Sequence, residues 1–166
     1  MFRNILVCVD SSPHSDRALT EAIDLAAAQR ARLTLLTSVQ RPPYWACTPT
    51  TAAGIETLAA DLAQESAEAL DAAVERVPAS IPVTKILSRK PIREALVKLL
   101  ARGENDLVVL GSRGRGALSA SVLGSVSHYA LNHCQVPVLI VHADPRQEPA
   151  RSEDAAAQRA PVPAGA

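Results

Sequence analysis

Short apolar runs alternate along the chain with longer stretches in which apolar residues recur at helical spacing. Residues 5–9 form a continuous apolar run, which is typical of a strand buried on both faces of a parallel sheet. Pro82 lies in an alternating run and favours an edge strand, because proline cannot donate a ladder hydrogen bond. Five strands are predicted in this way, at 5–9, 32–39, 81–87, 106–110 and 137–141.

Four helices are predicted between these strands. Ser12 is a suitable N-cap for a helix whose first position is Pro13, and Pro91 opens another helix in the same manner. A stripe of apolar residues that ends at Ala73 and Val77 predicts a long helix before the third strand. Strands that alternate with helices predict an α/β fold, with a parallel sheet and helices on both of its faces.

The chain of 166 residues is long enough for one domain with its own core. We expect this domain to cover residues 1–142. Residues 143–166 are rich in Ala and Pro and show no periodicity, so they predict a disordered tail. The proline-rich segment 40–51 predicts a long loop, whose Tyr44 and Trp45 either anchor the loop or close over a ligand.

The balance of positive and negative charge argues against some classes of binding partner. Lys and Arg together number 17, as do Asp and Glu, so the formal net charge is zero. A neutral chain with 2% aromatic residues is not expected to bind nucleic acid. No segment is long enough to span a bilayer and no signal-peptide cleavage site is visible, so a cytoplasmic location is expected. Of the three cysteines, Cys8 and Cys134 are interpreted as small core residues, and all three as free thiols.

The strongest chemical signal is a glycine pattern that begins where the fourth strand ends. Gly111 and Gly114 are followed, after nine residues, by Gly124 at the start of a helix. Ligands of open α/β sheets lie at this edge, and a helix N-terminus attracts phosphate. Ala117 replaces the lysine of a P-loop, and Ser119 replaces the third glycine of a dinucleotide fingerprint, so neither motif is present.

The pattern resembles the ATP-binding signature G-x-x-G-x9-G-[ST] of the universal stress protein family. The resemblance extends from Phe2 to Val141 and implies a Rossmann-like, five-stranded parallel sheet in the order 3-2-1-4-5. In such a protein, Asp10 would face the adenosine, Ser38 would lie near the adenine, and the glycine loop and the following helix would hold the phosphates. The implied site residues are Cys8, Val9, Asp10, Ser38, Leu110, Gly111, Arg113, Gly114, Gly124, Ser125, Val126 and Ser127.

The same resemblance implies ATP as the ligand, with Mg²⁺ on its phosphates, and a homodimer formed through the last strand (Val138, Leu139, Ile140 and Val141). An exposed apolar edge strand favours such pairing. Two features depart from the family pattern. Thr37-Ser38 replaces the usual His-Val after the second strand, and Arg89-Lys90 places positive charge before a helix N-terminus, which is unfavourable unless an anion or a partner lies there.

Several side chains allow a plainer interpretation. Asp10 could cap the first helix with Ser12 instead of contacting a nucleotide, and Arg115 is expected to be a solvated loop charge. His14 is expected at the surface. His128 and His133 are five apart on one helix, which predicts different faces and no metal site.

Three functions stay open at this point. The first is an ATP-binding regulatory module that reports its state to an unidentified protein. The second is a slow ATP hydrolase or adenylyl-transferring enzyme of the same superfamily, although no catalytic residue is predicted. The third is an interaction module that binds no nucleotide. It is disfavoured because a glycine loop without a ligand is expected to have no need of three glycines at this spacing.

Overall fold

The computed structural model describes residues 1–39, 52–115 and 123–143, in which five strands and four helices follow one another. The predicted loop 40–51, with Tyr44, Trp45 and Cys47, therefore lies outside the described residues. The elements are β1 (Asn4–Cys8), α1 (Pro13–Gln29), β2 (Arg32–Ser38), α2 (Ala52–Glu75), β3 (Val83–Ser88), α3 (Ile92–Leu100), β4 (Leu107–Gly111), α4 (Ser125–His133) and β5 (Val138–Val141).

The strands form a single parallel sheet in the order β3-β2-β1-β4-β5, which confirms the predicted fold. Val7 of β1 pairs with Leu35 of β2 on one side and with Val109 of β4 on the other. The chain winds outward from β1 in one direction and from β4 in the other, so the switch point lies between these two strands. At this point the carboxyl ends of both strands open onto the same edge.

Two hydrophobic clusters cover the two faces of the sheet, because successive side chains of a strand point to opposite sides. Ile5 and Val7 of β1 pack with α1 and α2, whereas Leu6 between them packs with α3 and α4. All three side chains are fully buried. Val77 is also buried, although it lies beyond the end of α2. The central strands are thus apolar on both faces, as their continuous apolar sequences predict.

The strand boundaries differ slightly from the prediction. β3 is an edge strand, but it begins at Val83, so Pro82 precedes it and contributes its carbonyl, which accepts a 2.9 Å bond from the Leu33 N–H. Asp106 precedes β4, and its carboxylate accepts the backbone N–H groups of Arg3 and Asn4 at 2.8 and 3.1 Å. Both residues therefore hydrogen-bond to neighbouring segments, although neither lies within a strand.

The helix termini explain one unfavourable feature of the sequence. The sequence predicts Pro91 as the first residue of α3, but Pro91 is the N-cap and the helix begins at Ile92. Lys90, which precedes it, forms an ion pair with Glu94 in the first turn of the helix. Of the two positive charges that seemed to need an anion or a partner, that of Lys90 is therefore matched within the chain.

The last residue of the described range 123–143 packs against the first helix. Ala143, which the sequence assigned to the tail, is buried, and its N–H donates to His14 Nδ1 at 2.7 Å. The remainder of the predicted tail, 144–166, lies outside the described residues. None of the helices in the described ranges combines the length and the hydropathy that a bilayer span requires.

Candidate functional site

A cleft of about 1040 Å³ opens at the carboxyl ends of β1 and β4. Its position at the switch point is where ligands of open α/β sheets bind. Every residue proposed for the site from sequence lies on its wall. These residues are Cys8, Val9, Asp10, Ser38, Leu110, Gly111, Arg113, Gly114, Gly124, Ser125, Val126 and Ser127.

Asp10 connects the two loops that flank the cleft. One of its carboxylate oxygens accepts the Ser12 N–H at 3.0 Å, and the other accepts the Arg115 N–H at 3.2 Å. The N-cap of α1 is Ser12, whose hydroxyl accepts the Ser15 N–H at 3.2 Å. Asp10 is therefore not the helix cap. It is a loop anchor on the cleft wall, and its charge faces the same space as the glycine loop.

Ser112 joins three elements at the base of the cleft. Its side chain is fully buried, its N–H donates to the Val141 carbonyl at 2.6 Å, and its carbonyl accepts the Gly124 N–H at 2.6 Å. These bonds attach the end of β5 and the start of α4 to the residue that follows β4. Backbone hydrogen bonds within the protein thus fix the loop that is predicted to bind phosphate.

The three glycines of the pattern differ in how much room they leave. A Cβ on Gly111 would lie 2.7 Å from the backbone carbon of His14, where α1 approaches β4, so packing alone requires a glycine there. A Cβ on Gly114 would collide with the side-chain carboxylate of Asp10, and one on Gly124 would make a tight contact at 3.2 Å from the Arg113 Cα. The expectation that the loop needs no glycines without a ligand was therefore wrong for Gly111.

The N-terminus of α4 faces the cleft without a side-chain cap. Its N-cap is Gly124, and no side-chain hydrogen bond closes this end within the described part of the chain. The N–H groups of the first turn have no partner inside a helix, and they carry the positive end of its dipole. Ser125 occupies the first helical position with an exposed side chain on the cleft wall.

The hydroxyl of Ser127, one of the site residues that the resemblance implies, already has a partner within the protein. It donates to the Gly111 carbonyl at 2.7 Å, and the residue is buried. Its proton is therefore already used to hold α4 against β4. Of the two serines among the implied site residues of α4, Ser125 presents an exposed side chain to the cleft.

One more expectation from the sequence was wrong. His14 is buried instead of exposed, and its Nδ1 lies 3.0 Å from Ser112 Oγ and accepts the Ala143 N–H. Arg115 is exposed, as expected of a solvated loop charge, and it also forms an ion pair with Glu65 of α2.

The thiol of Cys8 lies on the wall formed by the end of β1. Burial raises its pKa from 9.0 to about 12, and the negative charge of Asp10 and the nearby Cys134 act in the same direction. Burial also raises the pKa of Cys134. A neutral thiol is a weak nucleophile, which agrees with the interpretation of Cys8 as a small core residue instead of a reactive one.

At the end of β2, the two residues that depart from the family pattern make local bonds. Thr37 Oγ1 donates to the Val9 carbonyl at 2.9 Å, and Ser38 Oγ donates to the Lys90 carbonyl at 2.7 Å. They connect β2 to the neighbouring loops, and Ser38 and Val39 both line the cleft.

Sequence reasoning missed the part of the cleft that lies between α3 and α4. His128 and His133 both line the cleft, although their spacing predicted different faces. Steps of four residues from Ser125 could have identified Tyr129 and His133 as cleft residues. The wall that the sequence did not assign includes Val39, Ile92, Arg93, His128, Tyr129, Asn132 and His133.

Comparison with known proteins agrees with this architecture. Universal stress protein YxiE of Bacillus subtilis is 32% identical over 151 residues, covering 85% of this chain and 99% of that protein. The structure of universal stress protein UspA from Lactobacillus plantarum is 29% identical with a TM-score of 0.71, covering 84% and 97% of the two chains. A universal stress protein solved in complex with cAMP is 25% identical with a TM-score of 0.60, covering 86% and 99%.

A five-stranded parallel sheet with a cleft at its switch point places the protein in the Rossmann-like class of α/β proteins. The Universal stress protein family pattern matches residues 1–142. The chain therefore belongs to the universal stress protein family.

Proposed function

We propose that this protein is an ATP-binding regulatory module of the stress response, in which ATP occupies the cleft at the switch point. The observation that carries the proposal is the N-terminus of α4, which begins in the cleft at Gly124 and receives no side-chain cap from the residues described in the structure. Unpaired N–H groups and a helix dipole are the features by which proteins bind phosphate. The relative solved with cAMP supports an adenine nucleotide as the class of ligand.

Different parts of the cleft wall would contact the adenosine and the phosphates of the proposed ligand. The adenosine would lie against the ends of β1 and β2, near Cys8, Val9 and Ser38, with Asp10 beside the ribose. The phosphate chain would follow Gly111, Arg113 and Gly114 to the first turn of α4, as the resemblance implies. Leu110 and Val126 contribute apolar surface between these two parts.

Mg²⁺ fits this proposal as an ion carried by the phosphates. Within the described ranges, no group of three or more His, Cys, Asp or Glu side chains could hold a metal ion. Mg²⁺ usually keeps several waters and binds through few protein groups together with substrate phosphates. Both oxygens of Asp10 already accept backbone N–H groups, so phosphate oxygens and water would supply most of its ligands.

Two further parts of the proposal concern assembly and location. The outer edge of β5 has no partner strand in the described sheet, and Leu139 on it is 37% exposed. We propose that a second copy pairs there to give a homodimer, because an apolar edge strand invites pairing. A cytoplasmic location and an unidentified downstream protein complete the proposal.

Isothermal titration calorimetry of the full chain with Mg-ATP tests the proposal, with two variants at one position. Ser125→Pro removes the backbone N–H at the first helical position, where proline is well tolerated. Gly124 has φ −70° and ψ 159°, which suits a residue before proline. Ser125→Ala keeps that N–H and removes the hydroxyl alone.

We expect Ser125→Pro to weaken ATP binding at least tenfold, or about 1.4 kcal/mol, with an unchanged Tm. Ser125→Ala should have a smaller effect. If the wild-type chain takes up no Mg-ATP, the proposal is overturned. If Ser125→Pro binds like wild type, the phosphates do not lie at α4. A phosphate-release assay at multiple turnover then separates a binding module from a slow hydrolase.

A further inference from the structure

The cleft continues beyond the residues proposed to hold one nucleotide. Its volume of about 1040 Å³ lies at the top of the range of roughly 300–1,000 Å³ for pockets that hold drug-sized ligands. The additional wall runs between the helices on one face of the sheet. We name this part the outer groove and define it by Arg93 of α3 and by His128, Tyr129, Asn132 and His133 of α4.

The outer groove follows directly from the proposed phosphate position. Ser125, Tyr129 and His133 are spaced four residues apart, so they lie along one face of α4. A helix rises about 1.5 Å per residue, which places Tyr129 about 6 Å and His133 about 12 Å along the axis from Ser125. A ligand whose phosphates lie at the start of α4 could therefore extend along the helix into the outer groove.

The chemistry of the outer groove suits a flat aromatic ring. The rings of Tyr129 and His133 are stacked, with centroids 4.0 Å apart and an interplanar angle of 13°. The Arg93 guanidinium lies 5.5 Å from the centre of the Tyr129 ring. Tyr129 is half-buried and His133 is exposed, so part of this surface faces solvent. Aromatic faces and Arg are the groups on which nucleobases stack.

The charges along the wall favour a polyanion between two rings. Among the lining residues that the structure describes, Arg93, Arg113 and Arg115 are cationic, and Asp10 is the one carboxylate. Arg115 is paired with Glu65, which lies outside the wall, and the Arg93 guanidinium adds positive charge in the outer groove itself.

We propose that the outer groove binds a second nucleobase joined through the phosphate chain, so that the preferred ligand of the cleft is a dinucleoside polyphosphate. This inference rests on the proposed function, since the first adenosine and the phosphates would lie where ATP is proposed to bind. The second base stacks on the Tyr129–His133 pair, and the chain of phosphates runs along the first two turns of α4.

Calorimetry of the full chain with two probes, Mg-ATP and diadenosine tetraphosphate, tests the inference. We expect the dinucleotide to bind wild type at least tenfold more tightly than ATP. Tyr129→Leu should weaken the dinucleotide at least tenfold and change ATP less than twofold, because the substitution removes the aromatic face. Tyr129→Phe keeps the ring and should retain tight dinucleotide binding. Leu131→Ala, at a residue 53% exposed and absent from the cleft wall, should change neither probe.

The possible outcomes separate the two proposals. Equal affinity of wild type for both probes, or an equal loss of both in Tyr129→Leu, would overturn the outer-groove proposal and leave a cleft for one nucleotide. Dinucleotide binding without ATP binding, lost in Tyr129→Leu, would support the outer groove and contradict ATP as the ligand. Failure of both probes to bind would overturn both proposals.

Discussion

Two helices begin at the same edge of the sheet, on either side of the switch point, and their N-termini are built differently. At α1, the Ser12 hydroxyl accepts the Ser15 N–H, and Pro13 occupies the first position, where no N–H is needed. At α4, Gly124 precedes the helix and supplies no side-chain cap. The first terminus is capped by a side chain, whereas none of the residues that the structure describes provides a side-chain cap at the second.

In the proposed function, the first terminus has a structural role and the second binds phosphate, although both connections contain serines followed by a helix. Within the described ranges, the N-terminus of α3 on the cleft also lacks a side-chain cap, but its N-cap is Pro91, whereas that of α4 is Gly124. A terminus without a side-chain cap leaves N–H groups for a ligand and is less stable than a capped one.

The largest effect on stability is expected where α1 closes against β4. Gly111→Ala would place a methyl group 2.7 Å from the His14 backbone carbon and 2.8 Å from the Ser15 N, neither of which can move independently. We expect a loss of about 2–3 kcal/mol in the free energy of unfolding, measured in urea.

Gly103→Ala is the matched control for this substitution. Gly103 has φ +70° and nothing within 4 Å of its Cβ position, so only backbone strain of about 1 kcal/mol is expected. Equal losses in the two variants would mean that the approach of α1 to β4 imposes no packing constraint on Gly111.

A smaller effect should separate the two helix termini directly. Ser12→Ala removes the side-chain cap of α1 and should cost about 1 kcal/mol of unfolding free energy. Ser125→Ala removes a hydroxyl that caps nothing in the described residues and should stay within about 0.5 kcal/mol of wild type. Urea unfolding without nucleotide measures both, and a Ser125→Ala loss as large as that of Ser12→Ala would contradict the asymmetry.

The last prediction concerns the reactivity of the Cys8 thiol, at the end of β1. Because its pKa is raised to about 12, the native thiol stays neutral at pH 9, where an unfolded thiol is half ionised. Alkylation of Cys8 at pH 9, followed by mass spectrometry, should be at least a hundredfold slower in native protein than in urea. Similar rates would show that the thiol is accessible and ionised in the native protein.

The pH dependence of stability from this thiol has a definite sign. Below pH 9 the group is neutral in both the folded and the unfolded state, so it contributes no pH dependence. Above pH 9 the unfolded chain loses the proton first, and this contribution to stability falls as the pH rises toward 12. Cys8→Ala should make the unfolding free energy less dependent on pH in this window.

Much of the site could be predicted because the relevant signals are local. Continuous apolar strands gave the sheet, and the glycine pattern with its family resemblance gave residues that lie together on one cleft wall. The outer groove was missed because its wall is formed by two helices, and nothing in the sequence of α3 reveals which face of α4 it meets. His14 was misplaced for a similar reason, since its partners Ser112 and Ala143 are distant in sequence.

The sequence by itself determined the order of strands and helices along the chain, the parallel sheet and the cap of α1, because each follows from periodicity or from a residue within a few positions. The tertiary structure alone decided what each glycine makes room for, where the Ser127 proton goes and how Arg93 meets Tyr129. These features depend on distances between segments far apart in the chain, and such distances are fixed only when the two faces of the sheet are packed.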